Sequence, residues 1–389
     1  MRKIVIGIII VLIVVASVTL LYKPYHPVRE SFKSPPLHEE RQNPEYTGCP
    51  VENIQDIDSC ASYCVEHIGW DRCKEWCMEN PGKCRVDMVE PPEGEPKYWK
   101  IYSVNFWEDD YIDDIKEISK MNGNMMMIFF SASPLPDGSL DVYRHESKEI
   151  MELTFAKGIA TAHENGLHVI FDLEVGGPEA LPAENRDAFL ENYKEFITDW
   201  AKFCEKYKVY AFNLNSELDN EFFIPENCEG ECKNKEVGRL AQELLKEVRK
   251  HYRGKVGVGV LYTWSGDYNL TGYDFFTTNL PCGDGDVEGC VDFYGEAISG
   301  ANALKKKYNV PKFVIGEVDI FSENDATPEG MEAVQGFTIV SEQEEVEFYN
   351  NFFEKYADRV DGITITYSDP LGVKTGPARD VVSEWFKNL

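Results

Sequence analysis

From Tyr98 to the C-terminus, short apolar runs alternate with longer stretches in which apolar residues recur at helical spacing. Strand and helix repeated in this order favour a parallel sheet that is covered by helices. The apolar runs predict eight strands, at residues 100–106, 124–130, 167–173, 209–214, 255–261, 273–278, 312–316 and 361–366.

The amphipathic stretches between these runs predict the helices. They lie at residues 148–163, 186–207, 235–251, 291–307, 344–356 and 378–388. Eight strands and a closing helix favour an α/β fold of the (β/α)8 TIM barrel type over residues 98–389. The alternative is a doubly wound open sheet. The weakest point of the count is the connection at 264–272, which is too short for a good helix.

The first 48 residues follow a different pattern. An uncharged apolar run at residues 4–21 is long enough to cross a bilayer core of about 30 Å. No clean cleavage site follows it, so residues 1–22 are predicted to be a transmembrane signal anchor that is retained. Arg2 and Lys3 precede the run, which predicts that the rest of the chain lies outside the cell. The Pro-rich residues 23–48 predict an extended stalk.

Residues 49–90 carry cysteines with the spacing of two facing helices. Cys60 and Cys64 share one helical face, and Cys73 and Cys77 share another. Antiparallel packing of the two helices predicts the bridges Cys60–Cys77 and Cys64–Cys73. The spacing resembles that of the small disulfide-linked helical hairpins called α-hairpinins. A zinc site is the alternative, which an oxidising location and the lack of paired histidines disfavour.

The remaining cysteines predict local bridges and one buried thiol. Cys49 and Cys84 flank the hairpin and predict a third bridge there. Cys204, within a predicted helix, is expected to be an apolar filler. Two further pairs bracket loops after the fourth and sixth strands, where a disulfide would hold each loop. These pairs are Cys228 with Cys232 and Cys282 with Cys290.

Charge and missing motifs narrow the function. The formal net charge of −29 argues against nucleic acid or anionic lipid headgroups as partners, and favours neutral or cationic ligands. The sequence contains no HExxH, Walker, GxSxG or dinucleotide-binding motif. Asp284, Asp286 and Glu288 alternate like calcium ligands but lack the full twelve-residue loop. No metal and no cofactor are predicted.

Two glutamates end strand-like segments at positions where a barrel collects its reactive groups. Glu217 follows the fourth predicted strand, and Glu317 ends the seventh. Hydrolysis of a glycosidic bond requires two carboxyl groups, one to protonate the leaving oxygen and one to attack or support the anomeric carbon. The pair therefore predicts a glycosidase that acts on a polysaccharide or oligosaccharide.

The segments Asn215-Ser-Glu-Leu218 and Val310-Pro-Lys-Phe-Val-Ile-Gly-Glu317 resemble retaining glycoside hydrolases of clan A, in the manner of the family 113 β-mannanases. This resemblance implies double displacement on β-linked glycans, with Glu217 as acid/base and Glu317 as nucleophile. Most clan A families place Asn directly before the acid/base, where it contacts the sugar 2-hydroxyl. Here Ser216 intervenes, so either Ser216 takes over that contact or the strand bulges.

Two alternatives stay open. The spacing of Asn213, Asn215 and Glu217 also resembles the signature of family 18 chitinases, but asparagine replaces the acids that substrate-assisted cleavage requires. That reading also leaves Glu317 without a role. The alternative from another class is a non-catalytic surface barrel that binds glycan or protein, because barrels host both activities.

Residues at other strand ends are candidates for lining a carbohydrate cleft, because sugar rings stack on flat side chains while polar groups set their orientation. Asp172 and Glu174 end the third strand, where they either raise the pKa of a neighbour by charge repulsion or cap a loop. A plain core role is the alternative for each aromatic residue. The candidates are Trp107, Tyr262, Trp264 and Tyr367, with Asn105 and Asn279 beside them.

Overall fold

The computed structural model describes residues 49–50, 57–68, 71–80, 82–106, 110–142, 147–176, 181–219, 223–225, 228–261, 266–281, 287–319, 321–322, 339–367 and 373–389. The predicted signal anchor and stalk fall outside these ranges. Within them, no helix has both the length and the apolar character needed to span a membrane. The compact unit Cys49–Leu389 contains both the hairpin and the barrel.

Eight parallel strands form a closed barrel. Each pairs with the next along the chain, and the last pairs with the first, which confirms the TIM barrel against the open sheet. The strands are β1 (Trp99–Val104), β2 (Met125–Pro134), β3 (His168–Val175), β4 (Ala211–Asn213), β5 (Lys255–Gly259), β6 (Phe275–Pro281), β7 (Lys312–Asp319) and β8 (Gly362–Tyr367).

Helices cover the barrel, and two further helices form the hairpin that precedes it in the sequence. Residues 266–274, between β5 and β6, contain no helix, and the barrel closes without one. Short strands occur at Leu140–Asp141, Phe321–Ser322 and Ile339–Val340, and 3-10 turns at Ala183–Asn185 and Ala357–Arg359. The helices are α1 (Ile57–Glu66), α2 (Asp71–Glu79), α3 (Tyr111–Lys120), α4 (Lys148–Glu164), α5 (Arg186–Lys206), α6 (Glu231–Val248), α7 (Val287–Tyr308), α8 (Glu342–Tyr356) and α9 (Gly376–Asn388).

Inside the barrel, the apolar side chains cluster towards the amino ends of the strands. Strand residues alternate between the two faces of a sheet, so every second side chain points inward. The inner apolar cluster comes from the first half of the strands, and the carboxyl ends contribute nothing to it. Its members are Trp99, Ile101, Met125, Met127, Ile170, Ala211, Phe275 and Val314. Polar inward-facing groups are therefore concentrated at the carboxyl ends.

The hairpin packs on α4 of the barrel. The ammonium group of Lys157 on α4 donates to a carboxylate oxygen of Glu66 on α1 at 2.6 Å, and Lys157 is buried. Nδ1 of His163 is 2.9 Å from the carbonyl oxygen of Val89, in the chain that follows the hairpin. Twelve of the 17 residues of α4 are buried, so both its barrel side and its outer side are covered. The hairpin thus shields a helix that has almost no polar face.

The predicted bridges of the hairpin are wrong in their pairing. Cys49 bonds to Cys60, and Cys77 bonds to Cys84, each with 5.6 Å between Cα atoms. Cys60 lies at the start of α1 and Cys77 at the end of α2, so the flanking segments reach them over only 11 and 7 residues. These two local disulfides replace the predicted Cys60–Cys77 bridge and the predicted third bridge between Cys49 and Cys84.

The inner cysteines do face each other as predicted, but they are thiols. Cys64 and Cys73 are both buried, and a hydrogen bond joins their side chains. Burial raises the pKa of both thiols. Cys204 is a buried free thiol on α5, as expected for an apolar filler, and burial raises its pKa as well. The Cys228–Cys232 bridge is present in the structure, whereas Cys282 and the side chain of Cys290 lie outside the described residues.

Candidate active site

Strand β4 ends in a bulge, which decides where Glu217 lies. On β5, the N–H of Gly259 donates to the carbonyl of Asn215 at 2.6 Å, and its carbonyl accepts from the N–H of Leu218 at 2.9 Å. These partners are three positions apart, whereas a regular parallel ladder has them two apart. A Cβ on Gly259 would lie 2.6 Å from Cα of Ser216 and overlap its carbonyl group. Glycine therefore allows the bulge.

Asn215 holds this bulge in shape and does not face the barrel mouth. Its Nδ2 donates to the hydroxyl of Tyr193 on α5 at 3.3 Å, and its Oδ1 accepts from the backbone N–H of Glu217 at 2.7 Å. Asn215 is fully buried. The structure thus gives it a positioning role in place of the predicted substrate contact. The bulge, rather than a new role for Ser216, accounts for the inserted residue.

Ser216 is also buried within the bulge. Its N–H donates to the carbonyl of Leu173 on β3 at 2.8 Å, which ties the bulge to the strand on its other side. Its hydroxyl has no hydrogen-bond partner among the described residues. Two strands therefore hold the backbone directly before Glu217.

A second bulge, in β7, turns Glu317 inward. Ile315 and Val318 both belong to the core between barrel and helices, although a regular strand would place them on opposite faces. The register with β6 shifts at this point, and Gly316 is the extra residue. A Cβ on Gly316 would lie 2.6 Å from Oδ1 of Asn279. Glycine here lets Asn279 approach the backbone beside Glu317.

Asn279 connects the two glutamates. On β6 it pairs in register with Glu317 of β7, and its Nδ2 donates to Oε1 of Glu217 at a long 3.4 Å. Glu317 is exposed and Glu217 is half-buried. Two bulges and one amide thus bring together residues from β4, β6 and β7.

Two more carboxyl groups, on β3, belong to the same cluster. Burial raises the pKa of Glu174 to about 7, helped by the negative charges of Glu217 and then Glu317. Burial also raises the pKa of Asp172 well above its usual range, together with the charges of these three glutamates, and against a hydrogen bond from Asn213. Raised carboxyl pKa values of this kind are often found at functional sites.

A polar layer supports the cluster from below. Nδ2 of Asn213 on β4 donates to Oδ1 of Asp172 at 2.8 Å and to the hydroxyl of Thr277 on β6 at 3.2 Å. All three residues are buried. Asn213 faces the inside of the barrel whereas Asn215 contacts Tyr193 outside it, so the two do not form the inward-facing series of a family 18 site.

The other predicted cleft residues divide into three groups. Asn105 is half-buried just beyond the end of β1. Tyr367 is buried in the outer core, with its ring edge-on to Tyr102 at 5.8 Å, so the prediction that it lines the cleft is wrong. On β8, Tyr367 has the parity of Ile363 and Ile365, which face outward. Trp107, Tyr262 and Trp264 lie outside the described residues.

Phe129 is a cleft residue that the sequence interpretation missed. It lies on β2 with the inward parity of Met125 and Met127, and it pairs in register with Asp172. Its side chain is 39% exposed although it faces into the barrel, so the barrel is open down to this level. Counting parity from the first inward residue of the apolar run would have identified it.

Three acidic residues alternate like calcium ligands in the sequence. Asp284 and Asp286 lie outside the described residues, as does the side chain of Glu288. Among the residues that the structure does describe, no group of three or more His, Cys, Asp or Glu side chains is arranged to hold a metal ion.

Solved structures with a similar fold include glycoside hydrolases. A family 113 β-1,4-mannanase matches 76% of this chain and 100% of its own, with a TM-score of 0.55 and 16% identity. The family 113 β-mannanase AaManA from Alicyclobacillus acidocaldarius matches 75% of this chain and 96% of its own, with a TM-score of 0.55 and 14% identity. An endo-1,4-β-mannanase from Rhizomucor miehei matches 77% of this chain and 98% of its own, with a TM-score of 0.51 and 12% identity.

No protein-family model matches the sequence, and no curated protein matches it. At these identities the structural likeness shows the fold. The resemblance of the barrel to the family 113 β-mannanases is therefore confirmed at the level of the fold.

Proposed function

We propose that this chain is a retaining glycoside hydrolase that cleaves β-linked glycans, with Glu217 as acid/base and Glu317 as nucleophile. The observation that carries the proposal is the position of Asn279, which pairs with Glu317 and donates to Glu217. The Asn279 amide orients one oxygen of the proposed acid, and its backbone lies beside that of the proposed nucleophile. Both come from the strand ends where barrels carry out their chemistry.

The reaction follows from these positions. Glu317, as a carboxylate, attacks the anomeric carbon while Glu217 transfers its proton to the glycosidic oxygen, and the bond to the leaving sugar breaks. Glu217, now a carboxylate, then removes a proton from water. That water attacks the anomeric carbon, releases Glu317 and leaves Glu217 protonated as at the start.

The first substrate to examine is a β-1,4-linked mannan. The proteins that share the fold are described as β-1,4-mannanases and a β-mannosidase. Phe129 offers an exposed ring face at the inner end of the opening, on which the apolar face of a sugar stacks. Asn105 follows the end of β1 and Asn279 lies on β6, so both can supply hydrogen-bonding groups at the carboxyl end of the barrel.

We further propose that the enzyme works outside the cell, tethered by residues 1–22 and separated from the membrane by the stalk at 23–48. The uncharged run of residues 4–21 and the Pro-rich segment after it support this. The disulfides Cys49–Cys60, Cys77–Cys84 and Cys228–Cys232 suit an oxidising compartment.

The test is a turnover assay on the full chain in detergent. The protein is incubated with a panel of β-linked polysaccharides and oligosaccharides, and new reducing ends are measured. Release from at least one of them by the wild type, abolished in Glu317→Gln, supports the proposal. Glu164→Gln, which removes the same charge from the exposed end of α4, is the control and should behave as wild type. Binding without turnover would favour the non-catalytic barrel.

A further inference from the structure

The connection between β5 and β6 contains no helix, and a groove lies there on the outside of the barrel. Residues 266–274 run beside α6 in its place. The groove between them has a volume of about 430 Å³, and its walls are polar. Lys235, Arg239 and Gln242 of α6 line one wall, and Asp267 and Asn269 line the other. Such walls offer hydrogen-bond donors and acceptors to a hydrophilic occupant.

Asn269 begins the one Asn-x-Ser/Thr segment of the sequence, Asn269-Leu-Thr271. This pattern is the acceptor sequence for N-linked glycans. Because three residues of this kind also occur together by chance, the structure at Asn269 decides whether it can carry a glycan. Leu270 is fully buried, whereas Asn269 and Thr271 are exposed. The middle residue thus anchors the segment, and the two residues that define the pattern face solvent.

The carboxamide of Asn269 is oriented so that its nitrogen is free to react. Its Oδ1 accepts from the N–H of Thr271 at 3.2 Å, while its Nδ2 forms no hydrogen bond with the described residues. Nε2 of Gln242 donates to the carbonyls of both Asn269 and Thr271, each at 3.0 Å. A Cβ on Gly238 of α6 would lie 2.9 Å from the backbone nitrogen of Asn269, so glycine lets the segment approach the helix. The backbone is therefore held against α6, and a glycan on Nδ2 requires no rearrangement of it.

We propose that Asn269 is an N-glycosylation site, with the groove beside α6 as the space for the first sugars of its glycan. The inference rests on the proposed location outside the cell and not on the proposed hydrolysis. The sugar donor is a lipid-linked oligosaccharide. Nδ2 of Asn269 forms a C–N bond to the anomeric carbon, and the C–O bond to the lipid phosphate breaks. The phosphate leaves with the bonding electrons, and one proton of Nδ2 passes to a base of the transferase.

The test is mass mapping of the full chain produced in a eukaryotic cell. We expect a glycan on the peptide that contains Asn269, removable by a peptide:N-glycosidase and lost completely in Asn269→Gln and in Thr271→Ala. Thr271→Ser keeps the hydroxyl of the acceptor pattern and should keep the glycan. An unmodified Asn269 in the wild type would overturn the proposal, and this measurement does not depend on the folding of any variant.

Asp137→Asn is the matched control. It creates a second acceptor sequence with Ser139 on an exposed turn, where Oδ1 of Asp137 accepts from the N–H of Ser139 at 2.9 Å. Modification at position 137 but not at Asn269 would overturn the inference. If neither position is modified, the inference falls together with the proposed location, whereas turnover on β-linked glycans would still support the proposed activity. A glycan on Asn269 in a chain that hydrolyses no substrate would support the inference and remove the proposed activity.

Discussion

Replacing Gly259 with alanine is expected to displace Glu217 and lower the catalytic rate without unfolding the barrel. The added Cβ would lie 2.6 Å from Cα of Ser216 and overlap its carbonyl, whereas ordinary contacts begin near 3.4 Å. The bulge must therefore move by about 1 Å, and Glu217 is the next residue. A misplacement of that size costs about 100-fold in rate. Overpacking of this kind costs about 1–3 kcal/mol of stability, so the barrel stays folded.

The assay is kcat on the best glycan of the panel, with Tm by circular dichroism to verify folding. Gly176→Ala is the matched control, because it adds the same methyl group just after β3, where the nearest atoms lie at 3.8 and 3.9 Å. We expect a lower Tm by a few degrees and the loss of kcat only for Gly259→Ala. Full activity of Gly259→Ala would show that the bulge does not position Glu217.

Four further outcomes are expected. Phe129→Ala should raise KM about threefold to tenfold with a smaller effect on kcat, because it removes a stacking face; an unchanged KM would contradict this. Tyr367→Phe should leave kcat/KM unchanged, since the ring lies in the outer core. Cys64 and Cys73 should react with a maleimide only after unfolding, because both thiols are buried, and rapid labelling of native protein would contradict their placement. For Glu174, the folded pKa is raised from 4.5 to about 7, so ionisation destabilises the fold progressively between these values and fully above them. Glu174→Gln should thus raise the free energy of unfolding at about pH 8, by on the order of 3 kcal/mol at most, and with it Tm, but should change neither at about pH 4; the same change in Tm at both pH values would refute it.

The barrel could be predicted from the sequence because its signal is repeated eight times. Buried strands read as apolar runs whatever their neighbours, so all eight were found with small shifts at their ends. The helix Tyr111–Lys120 was not among the predicted stretches. The positions of Glu217 and Glu317 at strand ends could also be predicted, because strand position follows from the apolar runs; their catalytic roles stay a prediction.

The predictions that proved wrong concern features that depend on contacts between segments distant in the sequence. Tyr367 looked like a cleft residue, but its face is set by the parity of β8 against Tyr102. The bulge at Asn215 is decided by Gly259, which lies on another strand. Helical spacing predicts which cysteines share a helix face. It does not predict that Cys60 bonds to Cys49, which lies outside the helix, before α1.

The central claim is that Glu317 forms a covalent bond with the sugar while Glu217 supplies and removes the proton. The most direct measurement is mass mapping of the protein after reaction with a fluorinated, slowly turned over β-glycosyl substrate matched to the active glycan. The account predicts one glycosyl group, carried by the peptide that contains Glu317 and absent in Glu317→Gln. A glycosyl group on Glu174 or Glu217, or rapid turnover that leaves no labelled peptide and yields the inverted anomer, would contradict it.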